Sequence, residues 1–331
     1  MLGTTTIFDV MEAPKGLPGI LDSEAKALGS GYEGDNMPRG YRKNQQGKRR
    51  TRNKREPGIC KKWNNDPEAL VKGMFCVHTV FSCSPEMLKK VRELANEYKA
   101  GIHLHVEESV YEVNYCRKTH GKASVFHLDD LGVLGSDVVA AQCVQTTEAE
   151  IEILAERGVK VAHNLQTNME IGAGIAQVPK MLQEGVTVGI GNDGFVPDMF
   201  EVLRGVYLTH KGVTRDISVL PAEKCLEMAT IDGARVLGMD REIGSIEKGK
   251  KADMIIVDLP NVTPLTPENI YSQIISTAMG RGVESSIIDG RVVMEKRRVL
   301  TTDPEKAMKK CEETSLDIWN RNKVNLEKRL L

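Results

Sequence analysis

Nowhere in the 331-residue sequence do about eighteen apolar residues run together, so no membrane-spanning helix is expected. The first residues, Met1 to Asp9, show no basic segment leading into an apolar one, and no secretory signal is expected there. Seven cysteines are scattered without a single C-x-x-C pair, which argues against a disulfide framework and against a thiolate zinc site. A formal net charge of -1 supplies no field to gather nucleic acid or an anionic membrane surface. Together these absences predict a cytoplasmic protein in a reducing compartment, with a small-molecule substrate as its default partner. They leave homo-oligomerisation open.

What is present is alternation. With 40% hydrophobic residues the chain can bury one large core, and a (β/α) barrel of roughly 250 residues fits its length. Short β-branched runs at residues 73–79, 101–106, 138–144, 159–163 and 186–190 read as strands, and residues 3–9 as another, with a helix over 19–28 behind it. Helix starts lie between them: Ser84 followed by Pro85, and Thr147 with Glu150 three residues on. Strand, loop and helix repeat in the order expected of parallel βα units. After residue 190 the pattern changes to a helical stretch over 221–237. Glycine-bounded alternating runs at 282–289 and 291–295 follow and predict an antiparallel hairpin.

One stretch breaks the pattern. Between Arg39 and Arg55 there are nine Lys and Arg, no acidic residue and no apolar periodicity. Taken alone, such a run predicts an arm that contacts nucleic acid. A second reading fits the surroundings better. Back-translating residues 32–60 and reading one nucleotide later permits a β-branched strand after Gly31, then an acidic amphipathic helix leading into Trp63. That is the βα unit the repeat lacks. Residues 31–60 are therefore read as an aberrant, frameshifted segment, and no packed structure is expected in them because their polar composition buries little apolar area.

The seven histidines include four at or just beyond strand C-terminal ends, the face where a (β/α) barrel collects its catalytic groups. His78 ends one strand. His103 and His105 are two apart on the next and share a face, with Glu107 and Glu108 just after them. A neutral imidazole at 105 suits a metal, and a carboxylate at 108, or alternatively 107, suits proton transfer. An H-x-H pair on a strand can equally be barrel packing. Asp193, delivered between glycines in Gly191-Asn192-Asp193-Gly194, can bind a metal and accept a proton, or can simply make an Asp-Gly turn. His163-Asn164 with Asn168 is a further polar strand end, weak alone.

Taken in order, Cys76-Val77-His78, His103-Leu104-His105-Val106-Glu107-Glu108, His163-Asn164-Leu165-Gln166-Thr167-Asn168 and Gly191-Asn192-Asp193-Gly194 resemble the aminohydrolase and deaminase branch of the amidohydrolase superfamily. Gly244 to Asp253 (GSIEKGKKAD) looks like that family's return into its β-sandwich. The resemblance implies a TIM-like barrel holding one divalent metal, zinc or else iron. It implies His105 and Asp193 as ligands, Glu108 and Asp193 as the catalytic proton carriers, and His78, Gln142 and His163 at the substrate. Water activated by the metal would attack an electron-poor ring carbon while Glu108 protonates the ring nitrogen and the leaving group.

Two departures matter. The family carries a further H-x-H on its first barrel strand, which has no match here, and Gln142 stands where the family usually has histidine. An amide hydrogen-bonds but cannot act as a cationic acid. The sequence thus predicts an α/β fold: an incomplete (β/α)8 metallo-hydrolase barrel over residues 1–240, a β-sandwich remnant over 241–300 and a C-terminal helix over 301–331. Its predicted lineage is hydrolysis of C-N or C-Cl bonds, above all deamination of a nitrogen heterocycle, impaired by the lost strand. The competing readings are an inactive fragment and a binding protein.

Overall fold

The computed structural model describes residues 2–10, 33–36, 39–40, 60, 64, 69–260 and 263–327. Strand β1 (Thr6–Asp9) is followed by the short strands β2 (Glu33–Asn36) and β3 (Arg39–Gly40), then by β4 (Val71–Gly73) and β5 (Phe75–Thr79). From there strand and helix alternate: α1 (Pro85–Tyr98), β6 (Ile102–Val106), α2 (Val110–His120), α3 (Ser124–Asp130), β7 (Val138–Gln142), α4 (Glu148–Glu156) and β8 (Lys160–His163). Next come α5 (Leu165–Glu170), α6 (Val178–Gln183), β9 (Val188–Ile190), α7 (Met199–Thr214), α8 (Ala222–Met228) and α9 (Ile231–Leu237).

All pairings among these strands are parallel, in the orders β1-β2-β4 and β3-β5-β6-β7-β8-β9. Only Met74 separates β4 from β5, and two residues separate β2 from β3. The two sheets are therefore successive parts of one run of parallel strands. Among the described residues nothing pairs with the outer edge of β1 or of β9, so the barrel is not closed.

The helices form where the sequence signals them. Ser84 accepts the Met87 N–H at 3.3 Å, Pro85 occupies the first turn, and the helix buries Leu88, Val91 and Ala95 before Lys99 ends it in the left-handed region. The Thr147 N–H donates to the Glu150 carboxylate at 3.0 Å, one arm of the expected capping box. The main core lies between strands and helices, joining Val77, Ile102, Leu104, Val138, Val161 and Val188 to Leu88, Leu128, Leu154, Met181 and Leu203. A smaller cluster of Met74, Cys76, Val139 and Val236, with Phe8 and Ala162 against it, fills the other face of the sheet.

The expectation that residues 31–60 hold no packed structure needs correction at both ends. Glu33–Asn36 pairs with β1 and β4, Arg39–Gly40 pairs with β5, and Cys60 is buried in the main core. A parallel ladder is made by backbone groups alone, so two flanking strands can hold a third whatever its side chains. Residues 41–59, most of the basic run, lie outside the described residues. The stretch 221–237 also divides, into α8 and α9 at Ala229 and Thr230.

Beyond α9 the chain forms β10 (Met254–Val257), α10 (Ile270–Thr277), β11 (Val283–Ile288), β12 (Arg291–Glu295), β13 (Arg298–Val299) and α11 (Pro304–Glu327). The four strands make an antiparallel sheet in sequence order. Asp289 and Gly290, at φ 49° and 75°, make the tight turn predicted between β11 and β12. Gly244 bends the chain toward this sheet at φ +90°, and a Cβ there would lie 2.7 Å from Ala234 Cβ and 3.0 Å from Ile231 Cα. Gly244→Ala is expected to destabilise the protein by about 2–4 kcal/mol, combining left-handed strain with overpacking. Urea unfolding checks it, and a loss below about 0.5 kcal/mol would refute it. No described helix is long and apolar enough to cross a membrane.

Candidate active site

The C-terminal ends of β5, β6, β7 and β9 bring most of the sequence-predicted residues to one place. Alternation along β6 puts His103 and His105 on the same face as Cys76 and His78 of β5. His103 sits deeper, with its Nδ1 3.7 Å from Cys76 Sγ and its ring centroid 4.8 Å from that of Phe8. It is a packing residue of the sheet's inner face. His105 lies one layer higher. Its Nδ1 is 2.7 Å from the backbone oxygen of His78, and the two rings are 5.1 Å apart. A carbonyl can only accept, so Nδ1 carries the proton and the lone pair is on Nε2, the tautomer a metal ligand needs.

Glu107 and Glu108 part company at a single backbone torsion. Glu107 has φ 50° and turns its side chain away from the pocket, where it is fully buried. One carboxyl oxygen accepts the Ser124 N–H at 2.9 Å, and its own N–H donates to Glu112 at 2.9 Å. Its other oxygen is buried without a hydrogen-bond partner, as is one oxygen of Glu150. Burial first, and then the neighbouring Glu150 carboxyl, push Glu107 up to about 9. Glu107 is thus a neutral structural acid. Glu108 stays at the pocket, its carboxyl raised above the ordinary range first by burial and then by the negative charge of Asp193.

Asp193, in the left-handed region at φ 48°, accepts from Gln142 Nε2 at 2.8 Å. The loop that carries it is held by Thr167, whose hydroxyl donates to the Asn192 oxygen, and by Asn192, whose amide donates to the Val196 oxygen. Gln142 in turn accepts from Asn168 Nδ2 at 2.7 Å. Gln142 and Asn168 are both fully buried. Asn168, weak as a signal in sequence, is therefore part of this arrangement.

His163 is not brought to it. It shares the face of Val161, which packs against the helices, and its Nε2 lies 3.1 Å from Nε2 of His210 on α7. Burial, and then the neighbouring ring, lower His163 to about 3, and burial lowers His210 to about 4. The expectation of His163 at the substrate is corrected accordingly: it is a neutral core residue with a histidine partner that no sequence signal disclosed. Val159, Val161 and His163 keep the helix-side period, and that parity was the available clue.

His105 and Asp193 fit a divalent metal in chemistry and tautomer, as two donors. Among the described residues no group of three or more His, Cys, Asp or Glu is arranged to hold one. All seven histidines are among those described.

The profile of the amidohydrolase family matches residues 1–293. A 5'-deoxyadenosine deaminase of Methanosarcina acetivorans is 42% identical over 255 residues, which cover 75% of this chain and 58% of that protein. A 5-methylthioadenosine/S-adenosylhomocysteine deaminase of Dictyoglomus thermophilum is 38% identical over 264 residues, covering 78% and 62%. The chain thus spans about three fifths of the length of these relatives. Among solved structures, an adenosine deaminase from Xanthomonas campestris with bound zinc superposes with a TM-score of 0.85 at 26% identity, over 96% of this chain and 72% of that one.

Proposed function

The chain belongs to the amidohydrolase family, and from that premise we propose that its site is built for hydrolytic deamination of an adenosine-like nucleoside, with His105 and Asp193 as two donors to a divalent metal, zinc first. The observation that carries this reading is the pairing of Glu108 with Asp193. Burial and the aspartate's charge make Glu108 hold its proton closer to neutral pH than a free glutamate, as a general acid must. Asp193, hydrogen-bonded by the Gln142 amide, is the acceptor. A metal bound at these donors supplies Lewis acidity that makes water nucleophilic near neutral pH. Glu108 would deliver its proton to the ring nitrogen beside the carbon that water attacks, the proton Asp193 takes from that water would pass to the amine, which leaves as ammonia, and His78 lines the pocket beside it. The relatives' names, which specify 5'-deoxyadenosine, methylthioadenosine and S-adenosylhomocysteine, support the purine nucleoside class.

The further H-x-H strand that the family resemblance implies would add two histidine donors to these two. We therefore expect this chain to turn over far more slowly than a chimera carrying the N-terminal segment of the Methanosarcina acetivorans relative and a repaired 31–60. Ammonia release from adenosine, 5'-deoxyadenosine and methylthioadenosine, with zinc added, tests both statements. Equal turnover by chain and chimera would overturn the two-donor account. In the chimera, Glu108→Gln is expected to lower kcat by about 10²–10⁴, and an unchanged kcat would overturn the assignment of the acid.

A further inference from the structure

Gln142 ends β7 in a conformation that side chains rarely adopt, φ 80°, and Cys143 follows at φ 50°. Two consecutive left-handed residues cost on the order of 1–3 kcal/mol each, and they persist where the surroundings hold them for a reason. The result here is an amide placed between two partners. Its Nε2 donates to Asp193 Oδ2 at 2.8 Å, and its Oε1 accepts from Asn168 Nδ2 at 2.7 Å.

The direction of both amides follows from the carboxylate. Were Gln142 reversed, its Oε1 would face Asp193, and two acceptors would be opposed in a buried site. Asn168 therefore has to donate, which leaves its own Oδ1 buried without a hydrogen-bond partner. Asn168, Gln142 and Asp193 form a one-way chain of donors ending on a single carboxylate oxygen, and burial strengthens each link.

We infer that Gln142, oriented by Asn168, is the positioning residue that fixes the Asp193 carboxylate for metal binding, by holding Oδ2 and thereby directing Oδ1. The inference rests on the reading of Asp193 as a metal donor. It also gives Gln142 a different role from the substrate contact that the sequence suggests.

The test measures zinc affinity by competition with a chromophoric chelator, on the full chain, alongside thermal unfolding of each variant. Asp193→Asn is expected to weaken binding at least about 100-fold, and Gln142→Met, which keeps the volume and removes the donor, about 10-fold. Asn168→Leu frees the amide to turn and should weaken binding about threefold. Gln142→His restores a donor and should return affinity to within about threefold of the parent, which a merely structural role would not produce. Wild-type affinity in both Gln142→Met and Asn168→Leu, with Asp193→Asn defective, would overturn the relay and leave the donor assignment standing. Wild-type affinity in Asp193→Asn would overturn the donor assignment itself. If Gln142→Met unfolds, Asn168→Leu and Gln142→His decide.

Discussion

Taking the protein from pH 7.5 to pH 5 is expected to destabilise the fold by roughly 2–4 kcal/mol through one pair of rings, His163 and His210. Both are buried, with proton affinities lowered to about 3 and about 4 by the folded environment. In the unfolded chain each returns to about 6.5. Between those values the unfolded state binds more protons than the native state, so stability is intact above pH 6.5 and falls as pH drops toward 4. At pH 5 each ring accounts for about 1–2 kcal/mol, the lower figure allowing for the hydrogen bond the two rings share. Urea unfolding at pH 7.5, 6 and 5 measures the slope. Replacing both rings together, His163→Leu with His210→Leu, removes two polar partners at once and so leaves no orphan. The double variant should show a much flatter profile. An equally steep one would assign the acid sensitivity to other groups.

Glu107 slopes the opposite way. Its carboxyl is raised to about 9, first by burial and then by Glu150, so between the unfolded value near 4.5 and pH 9 the native state holds the extra proton. Stability contributed at this position is therefore lost as pH rises through that window. Glu107→Gln keeps an oxygen for the Ser124 N–H and offers Glu150 an N–H that no base can remove. The expected result is a gain of roughly 1–3 kcal/mol at pH 8 and little or none at pH 4.5, read from urea unfolding at both. A gain of equal size at both values, or a loss at both, would mean that Glu107 does not hold its proton in the folded state. With histidines penalising acid and glutamates penalising base, the fold should be most stable near neutral pH.

Much of this was legible in the residues. The strands showed because β-branched runs bounded by glycine recur at βα spacing, and the strand-end groups showed because alternation by two places His78, His103 and His105 on one face. The choice between Glu107 and Glu108 was not legible. It turns on a left-handed torsion at Glu107, where neither glycine nor asparagine advertises it. Gln142 looked like a substrate contact because the sequence does not reveal that Asn168, 26 residues on, returns to orient it. Glu33–Asn36 was unreadable as a strand because its side chains contribute nothing that a sequence pattern records. What places it is the pair of neighbouring backbones.

The bond from His105 Nδ1 runs to the backbone of residue 78, not to its imidazole. Every amino acid presents that same oxygen, so the tautomer of His105 is indifferent to what side chain residue 78 carries. Evolution or a protein engineer can therefore vary the side chain at 78 without retuning the nitrogen next to it. On the proposed reading of His105 as a metal donor, selectivity and metal affinity would be separately adjustable at two side chains whose ring centroids lie 5.1 Å apart.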